Sequence, residues 1–255
     1  MKSINQYIQE KLMIKKRKIV HHKYFPKTKK ELKDLIKKRI VQKGNDVDLN
    51  DIDVSKITDM SGLFKYLENF NGDISNWDVS NVTNMKYMFF GCNKFNQDIS
   101  EWDVSNVTNM ACMFTNCYEF NQDISSWNVS NVMDMSIMFS ACKNFNKDIS
   151  KWDVSNVTNM EYMFYKDYKF NQDISKWDVS NVTNMECMFY MCKLFNQDIS
   201  SWDVSNVINM YSMFYNCESF NQDLSNWDIS NVNKLDYMFV KCSIEEKYKP
   251  KFKYL

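Results

Sequence analysis

A tryptophan recurs at a fixed interval of 25 residues, at Trp77, Trp102, Trp127, Trp152, Trp177, Trp202 and Trp227. Each heads a near-identical sentence, W-D-V-S-N-V-T-N-M-x-x-M-F-x-x-C-x-x-F-N-Q-D-I-S-x. Self-similarity at such a period is the signature of stacked repeats, in which a unit too small to bury its own apolar residues buries them against its neighbours. One period back from Trp77 lies Ile52, and Val54, Ser55, Ile57, Met60, Leu63, Phe64, Phe70, Asp73 and Ile74 fall in the same columns. The array therefore starts near residue 49 with a degenerate unit and runs for about eight units to residue 251. The division predicted is a basic helical region with a cap over 1–44, repeats over 45–251, and a tail over 244–255.

Within a unit, Val82, Met85, Met88, Phe89 and Cys92 have the spacing of a helix stripe, with Asn81 or Thr83 as N-cap. The stretch F-N-Q-D-I-S-x-W-D-V reads as a short strand and turn, with Asp, Ser and Asn bonding nearby backbone at the corner. The fold predicted is an α/β repeat solenoid. It is a right-handed coil with one short parallel strand and one short helix per 25 residues, behind a helical N-terminal cap. At about 4.8 Å per strand the rod would be roughly 40 Å long. The seven tryptophans are assigned a structural role, setting the stacking register.

These repeats resemble the BspA-type leucine-rich repeat surface proteins. The resemblance is closest to their 25-residue subfamily, first noted in mycoplasma lipoproteins. It rests on V-x-x-M-x-x-M-F-x-x-C-x-x-F-N-x-D-I-S-x-W-D-V-S-N-V over about residues 45–243, and on a shared lead-in from Tyr24 to Asp53. It implies a leucine-rich-repeat-like solenoid that binds or adheres, with no catalytic chemistry, at a cell surface. The N-terminus M-K-S-I-N-Q-Y-I-Q-E lacks the apolar core of a secretory signal. Taken without the resemblance, the chain reads as cytoplasmic with reduced thiols.

Charge is unevenly placed. Residues 1–43 carry 15 Lys/Arg against 3 acids, and the remainder 17 against 29, so a basic head precedes an acidic body. Thr28-Lys29-Lys30-Glu31 is a capping box. It opens a helix with Leu32, Leu35, Ile36 and Ile40 on one face, stopped by Gly44-Asn45. Upstream, Ile4, Tyr7, Ile8 and Leu12 suggest a second amphipathic helix, followed by the basic patch Lys15, Lys16, Arg17 and Lys18. That patch is a solvated stretch or a tether to nucleic acid or an anionic membrane.

Catalytic parts are wanting: the only histidines, His21 and His22, lie outside the array, and no phosphate-binding or nucleophile motif occurs. No cofactor and no metal site is predicted. Cys112 with Cys117 and Cys187 with Cys192 share a C-x4-C spacing, but the pairs lie three coils (roughly 14 Å) apart. Thiolates on one zinc sit within about 4.6 Å of each other. Two aspartate ladders, 73 to 223 and 53 to 228, read as turn caps rather than calcium ligands, because Asn128 replaces one member and keeps only the acceptor oxygen.

The variable columns are where partners would be chosen. Tyrosine gathers there, and Tyr162, Tyr165, Tyr168, Tyr190, Tyr211 and Tyr215 form the predicted partner-binding patch. The function expected is a non-enzymatic scaffold for protein–protein interaction, with host or cell-surface adhesion as its setting. Self-association and tethering through the basic head are the alternatives. One coil breaks the Cys92, Cys117, Cys142, Cys192, Cys217, Cys242 column by placing Asp167 in it. A charge there is costly if the column is buried.

Overall fold

The computed structural model describes residues 21–251. Among the described residues the one α-helix is α1 (Lys29–Lys43), with Thr28 as its N-cap and the return bond of the capping box falling one residue earlier, on Lys27. Thr28 accepts from the Glu31 amide at 3.2 Å, and the Glu31 carboxylate accepts from the Lys27 amide at 2.7 Å. Gly44, at φ 87°, closes the helix by donating to the Ile40 carbonyl at 2.8 Å. Leu32 and Ile36 are fully buried in the same core as the first coil. Lys33 reaches the Gly62 carbonyl, and Arg39 pairs with Asp51 at 3.1 Å, which fastens α1 to that coil. The second amphipathic helix and the patch Lys15, Lys16, Arg17 and Lys18 lie outside the described residues.

The predicted α/β architecture is not what the repeats adopt. Among the described residues the coils hold no α-helix and no strand. Their parallel contacts are isolated bridges, one per interface, from Asp59 with Asn84 through to Asn209 with Lys234. A short 3-10 helix, Glu246–Tyr248, follows the last coil.

Each coil is instead a succession of three-residue turns. In one unit the amides of Trp102, Val107, Met113, Cys117 and Phe120 donate to the carbonyls three residues back, at Ile99, Val104, Met110, Phe114 and Cys117. Every one of those residues is buried. The residues that close these turns are buried, and several at the centres, such as Glu101 and Asn106, are exposed, although Ala111, Cys112 and Thr115 at the centres of the Met110–Met113 and Phe114–Cys117 turns are buried too. A run of such turns places apolar residues three apart, which is how it imitates a helix stripe.

The hydrogen bonds show why no helix forms. A helix would take the Phe89 amide to the Met85 carbonyl; here it goes to Met113 of the next coil, at 2.9 Å. Met85, Tyr87 and Gly91 likewise donate to Asn109, Ala111 and Thr115, at 2.8–3.0 Å. The intervening Met88, Phe90 and Cys92 close local turns. A strand is equally impossible, because two columns per coil hold left-handed backbone: the column of Tyr87 and that of Gly91. The predicted caps serve the neighbouring coil: Asn81 donates to the Ser55 carbonyl and Thr83 to the Thr58 carbonyl.

The core is ordered aromatic stacking. Phenyl rings of the Phe64-to-Phe239 column lie 5.3–5.8 Å apart from coil to coil. The Phe70-to-Phe220 column repeats at 5.8–6.4 Å. Each indole N–H donates to a carbonyl 28 residues earlier at 3.0–3.2 Å, from Trp77 to Leu49 through Trp227 to Ile199. The Cys92 thiol donates to the Phe64 carbonyl, and Cys117, Cys142, Cys192 and Cys217 repeat that bond, at 2.8–3.1 Å.

Coil spacing differs across the stack. The near-parallel rings of Tyr190 and Tyr215 are 4.7 Å apart, whereas those of Trp202 and Trp227 are 6.4 Å apart. On the tyrosine side, backbone bonds join coils directly and impose ladder spacing. On the tryptophan side the joints run through indole and asparagine side chains, which span a wider gap. The stack fans open toward the tryptophans and is concave along the turns that carry the tyrosines.

Candidate functional site: a tyrosine tower on the concave face

The outward residues of the Met-x-x-Met and Phe-x-x-Cys turns form the concave face, and there the coils differ in sequence. Tyr165, Tyr190 and Tyr215 occupy the same turn position in three successive coils and stack at 4.9 and 4.7 Å. Tyr162 leans on Tyr165 at 5.3 Å, and Tyr211 meets Tyr237 edge-on at 5.7 Å. Together with Cys187 and Ser212 these tyrosines line an open depression of about 430 Å³. Lys166 lies over the Tyr165 ring at 5.0 Å.

Two acidic residues on this face, Glu161 and Glu186, are committed to neighbours. Tyr162 donates its hydroxyl to Glu186 at 2.8 Å. Glu161 and Glu186 accept from the side-chain amides of Asn184 and Asn209 at 2.6 and 2.8 Å. Burial first, then the bonds to Glu186 and Cys187, push the Tyr162 phenol above its ordinary range. Burial pushes the Cys187 thiol up to about 11. Both groups are neutral near pH 7, so the depression offers aromatic rims and hydroxyls and no reactive nucleophile.

Of the predicted patch, Tyr162, Tyr165, Tyr190, Tyr211 and Tyr215 come together, while Tyr168 stands outside the depression. Tyr168 shares the column of Tyr118 and Lys143, one turn further along the coil. Tyr237 was missed although it falls in the Tyr162 column, three periods on. Reading each column through the last coil would have found it.

The aspartate ladders cap turns: Asp98 accepts from the Ser100 amide at 3.0 Å, Asp103 from Ser105 at 3.1 Å, and Asn128 from Ser130 at 3.2 Å. The Ser125 and Ser150 bonds hold the carboxyls of Asp123 and Asp148 below their ordinary range. Among the described residues no group of three or more His, Cys, Asp or Glu is placed to hold a metal ion. No helix among them is long and apolar enough to cross a membrane.

Asp167 is fully buried and neither carboxyl oxygen has a hydrogen-bond partner. Burial drives its pKa well up, and the Lys169 and Phe170 amides nearby offset this without closing a hydrogen bond. Cys142 and Cys192, in the same column, use their thiols as donors to Phe114 and Phe164. An ionised carboxylate has no proton to offer in that role.

A chain built this way is a stacked-repeat protein with an aromatic concave face and a closed N-terminal end. It belongs to the family described as "Mycoplasma protein of unknown function, DUF285", which matches residues 31–151 and again 133–250. No curated protein and no solved structure matches the chain.

Proposed function

We propose that this chain is a non-enzymatic repeat scaffold whose concave face binds a protein partner through the tyrosine tower. The observation that carries the reading is the tower itself. Three coils place Tyr165, Tyr190 and Tyr215 at 4.7–4.9 Å spacing on the inside of a curved stack. Curved stacks use that side as an extended binding surface. Tyrosine brings contact area at small entropic cost, and its hydroxyl tolerates a half-wet rim. The resemblance to BspA-type surface proteins adds the setting: adhesion at a cell surface, a host protein being the partner.

Self-association by end-to-end stacking is the weaker reading, because α1 covers the first coil with Leu32 and Ile36. A photo-crosslinker placed at Tyr190 in the full chain tests the proposal on host cells. One dominant adduct is expected, reduced at least tenfold when Tyr165 and Tyr215 are both changed to Ala, and unchanged by Tyr118→Ala. Adducts that ignore the tower variant, or that contain only this chain, overturn it.

A further inference from the structure

The same turn columns form a second aromatic cluster at the other end of the concave face, with a different geometry. Lys65 and Tyr66 come from the first coil, and Tyr87, Phe90 and Gly91 from the second. The Lys65 ammonium lies 4.5 Å from the Tyr87 ring centre, 5.1 Å from Tyr66 and 5.2 Å from Phe90. Phe90 stands nearly perpendicular to Tyr66, at 87° and 5.3 Å, and at 67° and 5.6 Å to Tyr87. Three rings thus surround the Lys65 ammonium, and the Lys86 ammonium lies 5.4 Å from the Tyr87 ring centre.

Ring orientation separates this cluster from the tyrosine tower. In the tower the rings lie parallel and cover one another's faces. Here Phe90 stands edge-on to both tyrosines, and no pair is stacked face to face, so ring faces are presented to the ammonium. The arrangement is held by backbone. Tyr66 and Tyr87 sit in left-handed conformation, at φ 65° and 60°. A Cβ on Gly91 would stand 3.2 Å from Tyr66 Cδ1, so glycine is what lets that ring lie against the second coil. In the next two coils the same columns hold Cys112, Thr115 and Asn116, then Ile137, Ser140 and Ala141, and the cage is gone.

Lys65 makes no ion pair among the described residues, and Tyr66 remains 64 % exposed. The cage is therefore occupied by a side chain on a flexible stem and is open to solvent on one side. A primary ammonium is strongly hydrated and gives up water to enter. A quaternary ammonium has no N–H to desolvate and spreads its charge over methyl groups that fit against ring faces.

We propose that Tyr66, Tyr87 and Phe90 form a binding site for a quaternary ammonium group of the choline type, with Lys65 as the built-in placeholder that the ligand displaces. The site stands apart from the tyrosine tower, and its test does not depend on that reading.

Tetramethylammonium and phosphocholine would be titrated into the full chain and followed by chemical shifts of ring-labelled tyrosine and phenylalanine. The wild type should show saturable shifts confined to Tyr66, Tyr87 and Phe90. Lys65→Ala, or Lys65→Met should the first not fold, should bind at least fivefold more tightly. Tyr87→Ala with an unchanged melting temperature should lose binding at least tenfold. Vesicles of phosphatidylcholine, against phosphatidylglycerol as control, separate a lipid headgroup from a free choline ester. Capture by the first vesicle alone assigns the lipid, and response to the soluble ligand alone assigns the free ester. Equal affinity in wild type, Lys65 variants and Tyr87→Ala, or no saturable shift in any of them, overturns the proposal.

Discussion

At the scale of one residue, Asp167 is the position where the repeat works against itself. Its column uses a thiol as a buried donor, and a carboxyl there is fully buried with neither oxygen closing a hydrogen bond, the nearby Lys169 and Phe170 amides offsetting its burial only in part. A buried polar group left unsatisfied costs roughly 1–3 kcal/mol. Asp167→Cys, which restores the column, should therefore raise the melting temperature by several degrees in a calorimetric scan at pH 7. A melting temperature unchanged or lowered would show that Asp167 is accommodated in a way that thiol donation does not improve. The pH dependence has a definite sign. The folded-state pKa of Asp167 is raised above its ordinary 3.8 by burial, which the Lys169 and Phe170 amides and the Lys169 charge offset only in part; Cys142 and Cys192 are its neighbours along the column. Its contribution is least unfavourable below that value. Stability is then lost as pH rises toward the folded pKa, by up to about 1.4 kcal/mol per pH unit. The advantage of Asp167→Cys over the wild type should accordingly widen between pH 4 and pH 7 in urea titrations. The turn-capping aspartates, such as Asp153 and Asp203, are shifted downward and act in the opposite direction, but they are common to both proteins and cancel in the difference.

At the scale of the element, the three-residue turn explains both what was legible in the sequence and what was misread. Period, inward columns and the N-terminal cap of α1 were readable, because each follows from a repeated apolar residue or a local capping pattern. The secondary structure was not. Met85, Met88, Phe89 and Cys92 have helix spacing whether a segment is a helix or two consecutive turns, and only the destination of the Phe89 amide separates the two. The left-handed columns were equally hidden, since apart from Gly62 and Gly91 they are filled by other residues, in one column Tyr87, Cys112, Ile137, Tyr162, Cys187, Ser212 and Tyr237. Of these Ile137, at φ 61°, is the most strained, because a β-branched side chain is the least tolerant of that conformation. Left-handed backbone costs an ordinary residue about 1–2 kcal/mol, and asparagine much less. Ile137→Asn should stabilise the protein by about 1 kcal/mol in denaturant melts, while Ile137→Val, still β-branched, should not. Equal behaviour of the two variants would show that side-chain contacts and not backbone strain set the preference at this site. The tyrosine patch was legible in part because the variable columns coincide with turn centres. Its curvature was not legible, since the wider joints of the tryptophan side depend on which hydrogen bonds are made through side chains.

At the scale of the whole molecule, stability is a sum over similar interfaces, closed at one end by α1. Each of the seven bridged interfaces repeats four backbone bonds of the kind Met85 makes to Asn109, and most add indole and asparagine joints. In such an array, removing one complete period costs one interface and leaves the register intact. Two excisions make that additivity testable against the residue-scale argument. Deleting residues 128–152 joins Trp127 to Asp153, and deleting residues 153–177 joins Trp152 to Asp178, so both leave the same W-D-V junction. Each loses one coil, but only the second also removes Asp167 with its unpartnered buried carboxyl. The shortened protein lacking 153–177 should therefore melt higher than the one lacking 128–152, and the gap should close when Asp167→Cys is introduced into the latter. Identical melting of the two deletions before that substitution would mean that the array distributes the cost of Asp167 over many coils. The nearest-neighbour description would then fail for this stack.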